Sequence, residues 1–334
     1  MKTITILFIL IVFMGNSFSQ SFKSEHFTIE KLTDGVYTAI HKKGGYAICN
    51  AGIIDLGDEA LVFDCFISPK AARDLKKAAE ELTGNEVKYV INSHFHSDHI
   101  RGNQVFDGAQ IIATQKTKEL IEKTESEKLE YEKNIVDDRI KAAREEIDGE
   151  TDSQKVEEHK MWLIYYEAIK ESFDEYKTVL PNKIVKDTLI LQGVDRKLIL
   201  FSRGKGHTED DMVLLLPDDN ILFTGDLLFI KSHPWLGDGF LNEWVDYLIE
   251  LKKLNVKHIV PGHGPVGNNQ HLDKMISYIQ TVTNIVDDAI ANNLSKEDLK
   301  LTAIPDDFDD WLLSRFFTLN LVIQYNKESS NELD

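Results

Sequence analysis

From residue 27 to residue 66 the chain is a succession of short apolar runs, with polar residues alternating and turn residues at Asp34-Gly35 and Gly57-Asp58. Period-two alternation between turns predicts strands over 27–32, 36–40, 47–56 and 59–66. The period changes at Pro69. Ala71, Leu75, Ala78 and Leu82 recur at helical spacing behind a proline suited to a first helical turn. A compact apolar run, 87–92, predicts a strand leading straight into Ser93-His94-Phe95-His96-Ser97-Asp98-His99, and 109–113 predicts another.

Residues 115–180 have a different texture: no proline, one glycine (Gly149) and dense mixed charge. Trp162, Tyr166, Ile169, Phe173, Tyr176 and Leu180 fall three or four apart, which predicts an amphipathic helix over 156–180. Residues 117–147 are helical by propensity with a thinner apolar stripe. Together they predict a helical hairpin turning near Gly149, an insertion of about 115–182 that can reach over a neighbouring site as a lid. Strands return at 187–192, 197–202, 212–216, 221–224 and 256–260; a helix over 243–254 precedes the last, and helices follow from Leu272. Two similar blocks of strands and helices predict an α/β sandwich, two sheets face to face with helices outside, in one domain over 20–334.

Charge and composition narrow the partners. The formal net charge is −18 and the pI about 5.1. That argues against nucleic acid, whose binders spread Lys and Arg over one face, and favours a small-molecule substrate. At the N-terminus Lys2 precedes a run that is apolar from Ile4 to Met14 apart from Thr5, followed by Ser17-Phe18-Ser19. This predicts a signal peptide over 1–19 and a secreted or periplasmic protein. No later stretch is apolar enough for a span, so no membrane association is expected of the mature form. Cys49 and Cys65 flank the hairpin at Gly57-Asp58; they are read as buried free thiols, with a cross-strand disulfide as the alternative.

His94, His96, Asp98 and His99 crowd three imidazoles and a carboxylate into one short segment. A packed core has no use for four polar groups there, and protonated imidazoles would repel; a divalent zinc resolves both, because neutral imidazole and carboxylate are its ligands. His207 in Gly204-Lys205-Gly206-His207-Thr208, Asp226 in Phe223-Thr224-Gly225-Asp226 and His263 in Val260-Pro261-Gly262-His263-Gly264 each follow a glycine at the end of a predicted strand. Asp64 also ends a strand, as a partner for a ligating histidine or as a strand cap. Lys205, Lys231 and His233 lie near ligands in sequence and are read as surface groups, with binding of a substrate carboxylate as the alternative; His26, His41, His159, His258 and His271 are read as structural or exposed.

The segments NSHFHSDHIRGN, GKGHT, FTGD and VPGHG resemble the metallo-β-lactamase fold superfamily over about 36–267. The resemblance implies an αβ/βα sandwich and two Zn2+ per chain. His94, His96 and His207 would hold the first zinc, Asp98, His99 and His263 the second, and Asp226 would bridge them. It also implies hydrolysis of a carbonyl (ester, lactone, thioester or amide) by a hydroxide shared between the zincs, with Asp98 orienting that nucleophile. His96 stands where flavo-diiron relatives carry glutamate, which points away from iron redox chemistry. Asp226 stands apart from the β-lactamases that use a cysteine or lack a bridging carboxylate. The run from Phe223 to Gly264, with His233-Pro234-Trp235, most resembles exported zinc metallohydrolases of quinoprotein relay systems and glyoxalase II-like hydrolases. Action on β-lactams, or an iron-dependent sulfur oxygenase on the same fold, are the alternatives.

Overall fold

The computed structural model describes residues 22–331, so the leader expected over 1–19 lies outside the described residues. A seven-stranded sheet runs in chain order through β1 (Phe27–Thr33), β2 (Val36–His41), β3 (Ala51–Asp55), β4 (Ala60–Phe63), β5 (Val87–Ile91), β6 (Gln110–Thr114) and β7 (Lys183–Val185). Pairing is antiparallel up to β4 and parallel from there on. The parallel steps need crossovers. These are α1 (Pro69–Thr83), then the short α2 (Ser97–Ile100), then the pair α3 (Gln115–Gly149) and α4 (Ser153–Ser172). The second sheet carries β8 (Thr188–Gln192), β9 (Lys197–Ser202), β10 (Met212–Leu216), β11 (Ile221–Phe229) and β12 (His258–His263), again in chain order. Its one parallel pair, β11 with β12, is joined by α5 (Leu241–Lys252). Helices α6 (Asn269–Ala291), α7 (Lys296–Leu299) and α8 (Arg315–Asn331) follow to the end of the described residues.

Apolar burial arranges these parts in layers. Ile54, Leu61, Phe63 and Ile91 of the first sheet pack on Leu200, Leu214 and Phe223 of the second, all fully or almost fully buried. The rings of Phe63 and Phe223 meet at 5.7 Å between centroids. The outer face of the first sheet is covered by the Ala71, Leu75 and Ala78 stripe of α1. The other sheet is covered by Trp244 and Leu248 of α5, Leu272 and Tyr278 of α6 and Phe317 of α8. This is the sandwich that the hydrophobic pattern predicts.

Several boundaries differ, each for a visible reason. Residues 47–50 are not part of β3: Ile48 has φ +71°, and the Asn50 side chain donates to the carbonyls of Pro261 in β12 (3.0 Å) and of Gly264 just beyond it (2.8 Å). Strand β4 stops at Phe63 because Asp64 turns to φ +57°. Strand β11 continues to Phe229, five residues beyond the predicted end, with irregular pairing around Gly225. Helix α4 ends at Ser172, not at residue 180. Beyond it Tyr176 covers the Arg101 guanidinium at 5.1 Å and the Val179 carbonyl accepts from the Asn103 side chain at 3.1 Å. Tertiary contacts there outweigh the helical pattern. No helix among the described residues is long and apolar enough to cross a membrane.

Cys49 and Cys65 are buried free thiols. Each donates to a backbone carbonyl of the ligand segment, Cys49 to Asp98 at 2.9 Å and Cys65 to His99 at 3.3 Å. Burial pushes the Cys49 thiol up to about 12. A thiol-reactive dye without reductant should therefore label neither cysteine in the folded protein and both after denaturation; failure to label the denatured chain would reveal a disulfide.

Candidate metal centre

The predicted residues meet at one edge of the sandwich. His94 and His96 lie in the loop after β5, Asp98 and His99 on α2, His207 in the loop after β9, Asp226 within β11, and His263 at the end of β12. Their donor atoms form two groups that share one carboxylate. His94, His96, His207 and Asp226 make the first, and His99, Asp226 and His263 the second, each with ligand atoms within 4.8 Å of one another. In the first, His207 Nε2 lies 3.1 Å from His96 Nδ1 and 3.4 Å from Asp226 Oδ2, which is 3.8 Å from His94 Nε2. In the second, Asp226 Oδ1 lies 3.1 Å from His99 Nε2 and 3.4 Å from His263 Nε2. Asp98 Oδ2 joins this second group, 3.4 Å from His99 Nε2 and 3.3 Å from His263 Nε2. The two oxygens of Asp226 thus face opposite ways.

These spacings fit zinc. Ligands at about 2.0–2.2 Å from a tetrahedral ion stand roughly 3.3–3.6 Å apart. Three of the atoms that would bind are left without a partner: His94 Nε2, His99 Nε2 and Asp226 Oδ1 are buried and make no hydrogen bond. Buried polar groups are normally satisfied, so their shared orphanhood points to an ion. A third group, Cys49 with Asp98 and His99, has similar spacing, but its thiol is held protonated by burial and already bonded to the Asp98 carbonyl.

Charge divides the two groups. Burial, opposed by Asp226 and reinforced by His96, depresses His207 to about 3, so its ring is neutral and ready to ligate. Burial also works against a charge on His263, yet Asp226 and Asp98 outweigh it and raise that ring to about 9. Metal entering the second group therefore displaces protons.

Outer partners fix the rings. Asp64 accepts from the Ser93 amide and hydroxyl, both at 2.8 Å, and from His99 Nδ1 at 2.8 Å. The Ser93 hydroxyl also meets His94 Nδ1 at 2.9 Å, so one buried carboxylate orients two imidazoles. Of the two roles considered for Asp64, the structure assigns the histidine partner. Asp238, which the sequence did not single out, lies 3.0 Å from His96 Nε2 and accepts from Trp235 Nε1 at 2.9 Å. Its only local signal was its place after His233-Pro234-Trp235. Such outer contacts fix the tautomer and aim of a ligating imidazole.

The glycines before the ligands serve different needs. Gly225 turns at φ +53°, as expected of a bend. Gly262 instead makes room: a Cβ there would lie 1.9 Å from Asp226 Oδ1. Gly262→Ala should push Asp226 out of place, and a misplacement of about 1 Å costs on the order of 10²-fold in rate. Comparing rate and zinc content with Gly204→Ala, whose site is open but whose φ is +87°, separates this crowding from backbone strain.

Other sequence expectations sort as follows. Lys205 and Lys231 pair on the surface with Glu243 and Asp310. His233 is fully buried and bonds the Tyr278 hydroxyl at 3.0 Å, so it is a core group and not a surface one. His41, read as structural, lines the cavity above the metal centre. Burial and the neighbouring His263 lower it to about 4. That cavity, of about 820 Å³, exposes His96, Asp98, Asp226 and His263 at its base. Residues of α3 and α4 form part of its wall, so the insertion does overhang the site.

Comparison with known proteins agrees with this geometry. The family model described as the metallo-beta-lactamase superfamily matches residues 44–263. The chain is 32% identical over 160 residues to a type 2 metallo-beta-lactamase of Bacillus cereus, an alignment covering 46% of this chain and 59% of that protein. It is 28% identical over 252 residues to a type 2 metallo-beta-lactamase of Pseudomonas aeruginosa, covering 72% of this chain and 79% of that one. Among solved structures, a metallo-beta-lactamase from Pontibacter korlensis superposes with a TM-score of 0.56 at 18% identity, over 76% of this chain and 99% of that one. The chain belongs to the metallo-beta-lactamase superfamily.

Proposed function

We propose that this protein is a dinuclear zinc hydrolase of carbonyl compounds, cleaving an ester, lactone, thioester or amide. The observation that carries the reading is Asp226, whose oxygens face two separate groups of imidazoles. His94, His96 and His207 would hold one zinc, Asp98, His99 and His263 the other, with Asp226 common to both. Zinc supplies Lewis acidity and a water acidic enough to ionise near neutral pH. The remaining work falls to the chain. Asp98 lines the cavity, and against its burial His99 and His263 hold its carboxyl well below the usual range, so it is an acceptor-only carboxylate placed to orient the attacking water and receive its proton. Asp64 and Asp238 hold three of the rings at fixed aim. Phe229, stacked on His263 at 5.0 Å, keeps one side of the base apolar. Export, carried by the apolar run from Ile4 to Met14, is part of the proposal.

The type 2 metallo-beta-lactamase relatives favour a second reading, hydrolysis of β-lactams. One experiment separates the two. Zinc-loaded protein is assayed on ester, lactone, thioester, amide and β-lactam panels beside Asp98→Ala. Turnover of a non-lactam class, lowered about 10²–10⁴-fold in the variant, is expected. Turnover of β-lactams alone would establish the second reading, and two zincs with no turnover on any panel would sink both.

A further inference from the structure

We propose that the cavity selects amphipathic anions, with Trp162, Phe316 and Trp235 taking a bulky hydrophobic group and Lys128 and Lys160 of the insertion taking a carboxylate. This names the substrate class for the hydrolase reading above and rests on it for the chemistry, but not for the binding.

The hydrophobic part follows from the wall. Trp162 of α4 meets Phe316 of α8 edge-on at 5.4 Å, and Phe316 meets Trp235 at 5.5 Å. Trp235 in turn bonds Asp238, the partner of His96. A continuous aromatic surface therefore leads from the insertion to the metal centre, and all three rings line the cavity. At about 820 Å³ the space suits a ligand of drug-like size. A short polar substrate would leave that surface wet.

The anionic part follows from charge. Lys43, Lys128 and Lys160 all line the cavity. Lys43 is held by Glu157 at 2.9 Å. Lys128 and Lys160 have no ion pair or hydrogen bond among the described residues, although acidic side chains are abundant in this chain of net charge −18. Lys128 is half-buried, Lys160 exposed, and they stand on different helices, α3 and α4, around the same opening. Two cations without acidic partners, lining one largely apolar cavity from different helices, are available to a single anion bound there.

Calorimetric titration of the zinc-loaded full chain with 4-phenylbutyrate, 4-phenylbutanamide and acetate tests this. The acid should bind at least tenfold more tightly than the amide, and acetate weaker than either. In Lys128→Ala/Lys160→Ala the acid should fall to within about twofold of the amide. Trp162→Leu should weaken acid and amide alike by fivefold or more. Equal affinity of acid and amide for the unmodified protein would overturn the proposal, as would an acid preference unchanged in the double lysine variant, which would place the carboxylate on the metal. Zinc content and ester turnover, measured on the same samples, keep the two ideas apart. Discrimination without zinc or turnover keeps the binding site and rejects the hydrolase, and turnover without discrimination does the reverse.

Discussion

Asp226→Ala is expected to lower bound zinc from two per chain to about one under chelator competition and to cut hydrolysis by roughly 10³-fold. Asp226 Oδ1 serves the His99 and His263 side at 3.1 and 3.4 Å, while Oδ2 serves the His207 and His94 side at 3.4 and 3.8 Å. Its loss removes a donor from each group and the negative charge that would let two dications sit side by side. The three imidazoles of the first group still make a sufficient zinc site. Asp226→Asn, which keeps one neutral acceptor oxygen, should fall between the two. Retention of both zincs at unaltered affinity in the alanine variant would show that Asp226 is a bystander.

The second large effect lies outside the ligand set. Glu125→Ala is expected to destabilise the fold by about 1.5–3 kcal/mol, the range for losing buried hydrogen bonds to a charged group while Glu132 still balances Arg101, and to weaken zinc retention at the same time. Arg101 is 1% exposed. Its Nε and guanidinium nitrogen lie 2.6 Å from Glu125 Oε1, and the same guanidinium lies 2.7 Å from Glu132. Glu125 also accepts from the Ser97 hydroxyl at 3.2 Å. Ser97 and Arg101 bracket Asp98 and His99, so one carboxylate on α3 clamps the helix that presents two ligands. Denaturant unfolding and chelator titration read the two effects. Glu171→Ala, which breaks an exposed pair with Lys70, should cost less than about 1 kcal/mol. The insertion is therefore both wall and clamp. Excising 117–180 to test a lid would also strip Arg101 of both carboxylates, and point changes in α4 are the cleaner probe.

The metal centre was legible in the sequence because its demands are local. Four ligands crowd one short segment, and the other three follow glycines near strand ends. The sheet layers were legible for the same reason, since each strand is a short apolar run, alternating at an edge as in β8 and continuous where both faces are buried as in β4 and β11. What escaped depends on contacts between distant positions. Asp238 and His96 are 142 residues apart. The thin apolar stripe of α3 has a specific cause: its buried positions run through Thr117, Ile121, Glu125, Glu132, Val136 and Ile140, and two of them are glutamates matched to Arg101. Read locally, those glutamates are solvent-facing. The end of α4 escaped likewise, because Phe173 and Tyr176 keep helical spacing while Arg101 and Asn103 draw the chain away.

Elemental analysis of the purified, zinc-reconstituted chain tests the central claim most directly. Two zinc ions per chain, one lost readily on chelation and both required for full hydrolysis, is the predicted result. One iron per chain, or no tightly bound metal at all, would contradict it.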